Sequence, residues 1–149
     1  MTQITITLSL AQQLKAAGLV WKADINDFFG IPDRELDDRV FVVADLMANL
    51  ELFRGWPVVT FHGAAEWGLD YILTTEVVWL PTEGQVRQEL EELLLGEEHL
   101  ALQLMLRSHG YQCNILFRGA PLTFAAATAA EAYGLALLHV LQASNAHTS

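Results

Sequence analysis

The sequence predicts an α+β fold, an antiparallel sheet with helices packed against it, and three observations carry that expectation. First, Ser9…Gln12, Thr82…Gln85 and Thr128…Glu131 each have the form Ser/Thr-x-x-Gln/Glu and each opens an apolar helical pattern. In such a pair the hydroxyl takes one free backbone N–H of the first turn and the longer side chain reaches back to another. Second, Leu100, Leu102, Leu104 and Leu106 alternate with other residues, as do Tyr111, Cys113, Ile115 and Phe117, the two-residue period of a strand. Third, residues 82–143 read as α-β-β-β-α.

Taken in order, the first helix is expected from Leu10 to Ala17, with Leu10, Ala11, Leu14 and Ala17 on one face and Gly18 as its stop. Leu19-Val20-Trp21 reads as a short strand. Phe28, Phe29 and Ile31 form a second, ended by Pro32. Val40-Phe41-Val42-Val43 reads as a third, and its β-branched and aromatic run suggests cover on both faces. Val58 to Phe61 is a fourth strand. A helix from Ala64 to Thr74 follows, weakened by Gly63 and Gly68. Thr82 then opens a helix in which Val86, Leu90, Leu93 and Leu94 recur at helical spacing, with Glu83 four residues before Arg87 and Gly96 as the end. The strand over 100–106 turns at Ser108-His109-Gly110. The strand over 111–117 turns at Arg118-Gly119, and Leu122 to Ala125 returns. The last helix, Ala129 to Ala143, is apolar nearly all round, so it needs cover on more than one side. Residues 144–149 read as a frayed tail.

Length and composition bound the function. A chain of 149 residues is expected to form one domain with a substantial core. Hydrophobic residues make up 52% and charged residues 17%, which argues against disorder and towards an oligomer. The net charge of −10 repels phosphates, so nucleic acid and anionic membrane are not expected partners. Residues 1–98 carry a net of −11 and residues 99–149 a net of +1, with Glu131 the single acid of the latter. The nearly uncharged last third is therefore the expected core centre or the contact of a homodimer. The single cysteine, Cys113, cannot form an intramolecular disulfide or a cysteine metal cluster. With no basic, apolar leader at Met1 to Thr5, the expectation is a cytoplasmic protein without a targeting segment.

Candidate chemistry is sparse. His62, Glu66 and Asp70 stand at i, i+4 and i+8, and on one helix they would offer an imidazole and two carboxylates to a divalent metal. A polar outer face on a helix carrying Trp67 and Leu69 is the preferred alternative. Asp33, Glu35, Asp37 and Asp38 gather carboxylates in a turn. They lack the ordered spacing of a calcium loop, and Arg34 and Arg39 offset them, so a solvated turn is preferred. Cys113 reads as a buried inert thiol, and His139 as a satisfied core or interface histidine. Of the four tryptophans, Trp21, Trp67 and Trp79 read as core. Trp56, in an expected loop between Gly55 and Pro57, reads as exposed and as a candidate partner contact. No phosphate loop, Gly-x-Ser-x-Gly or His-Glu-x-x-His occurs, and no cofactor is expected. The element order of 82–143 is similar to double-stranded-RNA-binding domains. Those hold phosphates with lysines at the start of the second helix, where this chain has Ala129-Ala130-Glu131-Ala132, so the RNA reading is rejected.

Leu14-Lys15-Ala16-Ala17-Gly18, Trp21, Asp27-Phe28-Phe29-Gly30-Ile31-Pro32-Asp33-Arg34, Val40-Phe41-Val42-Val43, Thr74 to Thr82 and Glu131-Ala132-Tyr133 together resemble a family of small bacterial proteins, some of which bear a pilus-assembly label. A looser likeness, in the first helix, Leu80-Pro81-Thr82 and the last helix, extends to short prophage-encoded proteins. The resemblance implies no catalytic residue. A pilus-assembly ATPase would need a phosphate loop, and this chain has none.

The function expected from sequence is thus a non-enzymatic, soluble interaction or accessory module that pairs as a homodimer through residues 99–149 and meets a further protein partner. Two alternatives belong to other classes. One is a small metal-dependent hydrolase built on His62, Glu66 and Asp70 or on the acidic turn; the other is an acidic nucleic-acid mimic that occupies a basic partner.

Overall fold

The computed structural model describes residues 4–32, 39–43, 48–53, 56–61, 71–73 and 76–145, and for 48–53, 58–61 and 71–73 it describes the backbone. The chain falls into two compact units, one combining Met1–Leu19 with Pro81–Ser149 and the other spanning Val20–Leu80. The class is α+β, with three helices and antiparallel three-stranded sheets among the described residues.

The first unit holds α1 (Leu8–Ala16), α2 (Glu83–Leu94), β7 (Ala101–Arg107), β8 (Gly110–Phe117), β9 (Ala120–Ala126) and α3 (Ala129–Asn145). Its second half reads α-β-β-β-α, as expected. The sheet order is β7-β8-β9, both pairs antiparallel, with Leu104 opposite Cys113 and Cys113 opposite Phe124. The β8–β9 connection is a two-residue turn in which Arg118 (φ 54°) and Gly119 (φ 78°) are both left-handed, the signature of a type I′ hairpin. At the β7–β8 turn, Gly110 has φ 136°, and a Cβ there would meet the Ala126 carbonyl oxygen at 2.5 Å. Only glycine satisfies both demands.

Thr82 forms the complete reciprocal cap of α2: its hydroxyl accepts from the Gln85 N–H at 3.4 Å, and its own N–H donates to Gln85 Oε1 at 3.0 Å. Val86, Leu90 and Leu94 are its buried stripe. Thr128 accepts from the Glu131 N–H at 3.1 Å at the head of α3. The Ser9…Gln12 pair does not cap α1. Thr7 does, with its hydroxyl accepting from the Leu10 N–H at 3.3 Å, and Ser9 lies inside the helix. The cap moves two residues because tertiary bonds hold the preceding segment extended: the Ile6 N–H donates to the Pro81 carbonyl at 3.2 Å, and Thr5 bridges to Thr82.

The all-round apolarity of α3 is met inside the chain. The helix packs on the β8–β9 part of the sheet, on α2 and on α1. Tyr133, Ala136, Leu137, Leu138 and Val140 are buried among these elements. Gly134 lets α1 approach, since a Cβ there would meet Leu10 Cδ2 at 2.6 Å.

The second unit holds β1 (Phe28–Gly30), β2 (Phe41–Val42), β3 (Ala48–Phe53), β4 (Trp56–Phe61), β5 (Tyr71–Leu73) and β6 (Val78–Trp79). They form sheets ordered β2-β1-β6 and β3-β4-β5. The fully buried Phe29 ring lies 5.7 Å from Trp21 and 5.5 Å from Phe41. Several expectations are corrected here. Leu19-Val20-Trp21 is not a strand. Buried Asp27 accepts from Trp21 Nε1–H at 2.9 Å and from the Asp24 N–H at 3.0 Å, and folds the segment into a loop. The segment 40–43 is not covered on both faces: β2 is an edge strand, and Val40 and Val42 are exposed while Val43 is buried. The helix expected from Ala64 to Thr74 gives way to strand β5 at Tyr71–Leu73, where pairing with β4 overrides local preference; the rest of that span lies outside the described residues. Strands β3 and β6 stand where the sequence reading places no element.

Candidate interaction surface

His62, Glu66 and Asp70 lie outside the described residues, as do Asp33, Arg34, Glu35, Asp37, Asp38 and Trp67; Arg39 is exposed. Among the described residues, no group of three His, Cys, Asp or Glu side chains is arranged to hold a metal. Also among them, no helix is long and apolar enough to cross a membrane.

Cys113 is fully buried on the helix-facing side of β8, and burial pushes its thiol up to about 11. Thiolate is the nucleophile, so this group is inert at neutral pH. His139 is not a core histidine. It is exposed, with its ring 5.6 Å from Phe124 and edge-on to Phe117 at 6.3 Å, where it shields the rim of the sheet. Trp21 and Trp79 are half-buried. Trp56 is 67% exposed, but it stands at the start of β4, opposite Phe53, rather than in a loop.

An open depression of about 460 Å³ lies at the β7–β8 turn, lined by Arg107, His109, Gly110, Tyr111, Gln112 and residues 125–127. Arg107 and His109 are both exposed there, so water screens whatever charge they offer an anion.

The feature that sequence reasoning passed over is the edge of the first unit's sheet. Directly paired residues on antiparallel strands share a face. Leu102, Leu104 and Leu106 therefore lie on the same face as their partners Ile115, Cys113 and Tyr111, which is the face that α3 covers over β8 and β9. Cover fails along β7. Cys113 and Ile115 are buried, Leu102 and Leu104 are half-buried, and Leu106 is 74% exposed. Leu100, just before the strand, is also exposed. On the opposite face the side chains bond one another. Asn114 Oδ1 accepts from Gln112 Nε2–H and from the Thr123 hydroxyl, both at 2.9 Å, and Asn114 Nδ2–H donates to Met105 Sδ at 3.3 Å. The two faces thus differ sharply: a self-satisfied polar layer outside, and a leucine row without full cover on the helix side. The alternation of leucines was visible in the sequence. That the helices stop short of β7 was not.

Comparison with protein-family models, with curated proteins and with solved structures finds no match to this chain.

Proposed function

We propose that this chain is a non-catalytic, cytoplasmic interaction module that acts as a homodimer through residues 99–149, with Trp56 available to a further protein partner. The observation that supports it most is the leucine row of β7, half-buried at Leu102 and Leu104 and exposed at Leu106. A seven-residue strand that stands at the edge of its sheet among the described residues, with apolar side chains along it, is a template for pairing with another chain. Net charge supports the same reading from the other side. A chain at −10 stays dispersed in water, so its one nearly uncharged region marks where contact costs least repulsion. The test is light scattering with elemental analysis on purified protein. The expected result is twice the chain mass and no stoichiometric metal. About one zinc or manganese per chain, lost in His62→Ala, would replace this reading with the hydrolase alternative.

A further inference from the structure

We infer that two copies pair edge to edge through β7, antiparallel about a two-fold axis at Leu104, to make one six-stranded sheet with both helix layers on the same side. The inference rests on the interaction-module reading and names its partner as a second copy of this chain.

The argument is one of symmetry. A two-fold axis perpendicular to the sheet sends residue i of one copy opposite residue 2c − i of the other, where c is the central residue. Side chains alternate between faces along a strand, so facing residues must have equal parity, and every allowed register sets even-numbered residues against even-numbered ones. The even positions of this strand are Leu102, Leu104 and Leu106. Self-pairing therefore places leucine on leucine. Centring on Leu104 uses the whole of Ala101–Arg107. Leu104 meets its own copy, Leu102 meets the partner's Leu106, Gln103 meets the partner's Met105, and Ala101 meets the partner's Arg107. No like charges oppose each other. The leucine row would fill the gap left beside α3, covering the side chains that the chain's own helices do not reach.

The two edges of the sheet also differ in the way closure demands. Edge strand β9 contains Pro121, which removes a backbone donor and blunts that edge. Strand β7 contains no proline, and its only charge is Arg107 at its end. Pairing β7 with β7 uses up the open edge of both copies and stops at two.

The experiment uses full-length protein and two variants. Leu106→Lys changes a side chain that is already exposed, so the fold should survive, as circular dichroism would show. It sets a lysine beside the partner's Leu102, and the mass by light scattering should fall to that of one chain at concentrations where the parent is a dimer, a weakening of at least tenfold. Leu104→Cys, made in a Cys113→Ala background because Cys113 stands opposite residue 104 on β8, places two thiols opposite each other at the axis. Directly paired strand residues have Cα atoms about 4.5–5.5 Å apart, within disulfide reach, so mild oxidation should link the dimer covalently. Leu106→Cys faces the partner's Leu102 and should not link. A dimer that survives Leu106→Lys and gives no Leu104→Cys link overturns the edge pairing while the module reading stands. A parent protein that is monomeric at every accessible concentration overturns the pairing and the homodimer together.

Discussion

Glu131 is the single acid of residues 99–149, and both of its oxygens serve another helix. Oε2 accepts from the Thr7 N–H at 3.2 Å and Oε1 from the Thr7 hydroxyl at 3.0 Å, while its own N–H is held by Thr128. A carboxylate beside two helix N-termini also opposes the positive ends of both dipoles. Thr7→Ala should cost about 2 kcal/mol, because it removes a cap and leaves a part-buried carboxylate short of a partner. In a double-mutant cycle, Thr7→Ala and Glu131→Ala should couple by roughly 1 kcal/mol or more, whereas Thr82→Ala and Glu131→Ala should simply add. Additive losses at Thr7 and Glu131 would show that the bond between them contributes nothing. Cys113 supports a second prediction. Burial raises its thiol from 9.0 to about 11, and Tyr133 is raised in the same direction, first by burial. The folded chain then holds these protons more tightly than the unfolded chain. Their contribution to stability is complete below about pH 9 and is lost as pH climbs towards 11. Urea melts across that range should show falling midpoints with a shallower fall in Cys113→Ala, and at pH 8 a thiol reagent should label Cys113 only as fast as the chain unfolds.

Helix α3 is held at both ends by short-range bonds and in the middle by close approach. At its start Glu131 grips Thr7, and near its end Asn145 Nδ2–H donates to the Ala17 carbonyl at the C-cap of α1. The Arg118 guanidinium donates to the Ala143 carbonyl at 3.5 Å, a cation at a helix C-terminus where the dipole favours it. The same arginine stacks on Phe117 at 4.8 Å. Between these ties, Gly134 makes room for the N-terminal segment, since a Cβ there would meet Leu10 Cδ2 at 2.6 Å and Ile6 Cγ2 at 3.4 Å. Gly134→Leu should destabilise the domain by about 2 kcal/mol or more, against the roughly 1 kcal/mol that removing a helix glycine would otherwise add. A thermal midpoint that rises instead would mean that α1 does not press on α3 at this point.

At the scale of the whole molecule the governing quantities are charge and uncovered apolar surface. Two chains at −10 repel each other, and the proposed contact contains no compensating ion pairs. Salt screens such repulsion over about 8–10 Å at physiological strength. The dimer should therefore tighten several-fold as sodium chloride is raised from low levels to about 0.5 M, in a sedimentation series at fixed pH. Weakening with salt would point to a contact made by opposite charges and away from β7.

Much of the first unit was legible in the sequence because its signals are local. The Thr82…Gln85 pair needs only four residues to close a cap, the leucine and Tyr111-to-Phe117 alternations need only a strand's own pleat, and Arg118-Gly119 needs only its own backbone to turn. The second unit was less legible. Leu50 and Leu52 alternate with Asn49 and Glu51, and Arg54-Gly55 repeats the residue pair that turns the chain at Arg118-Gly119, so the sequence does carry a local signal for the β3–β4 hairpin. Strand β5 carried none, since the apolar residues at 71–73 suit a helix as well, and pairing with β4 decided between them. Tertiary structure alone moved the first cap from Ser9 to Thr7, because the bonds that hold residues 5–7 come from Pro81, Thr82 and Glu131, far along the chain. It alone showed that α3 finds its cover within the chain while Leu106 does not. Periodicity along a sequence records which side of an element is apolar; how far a neighbouring helix reaches across that side depends on the packing of elements distant in the chain.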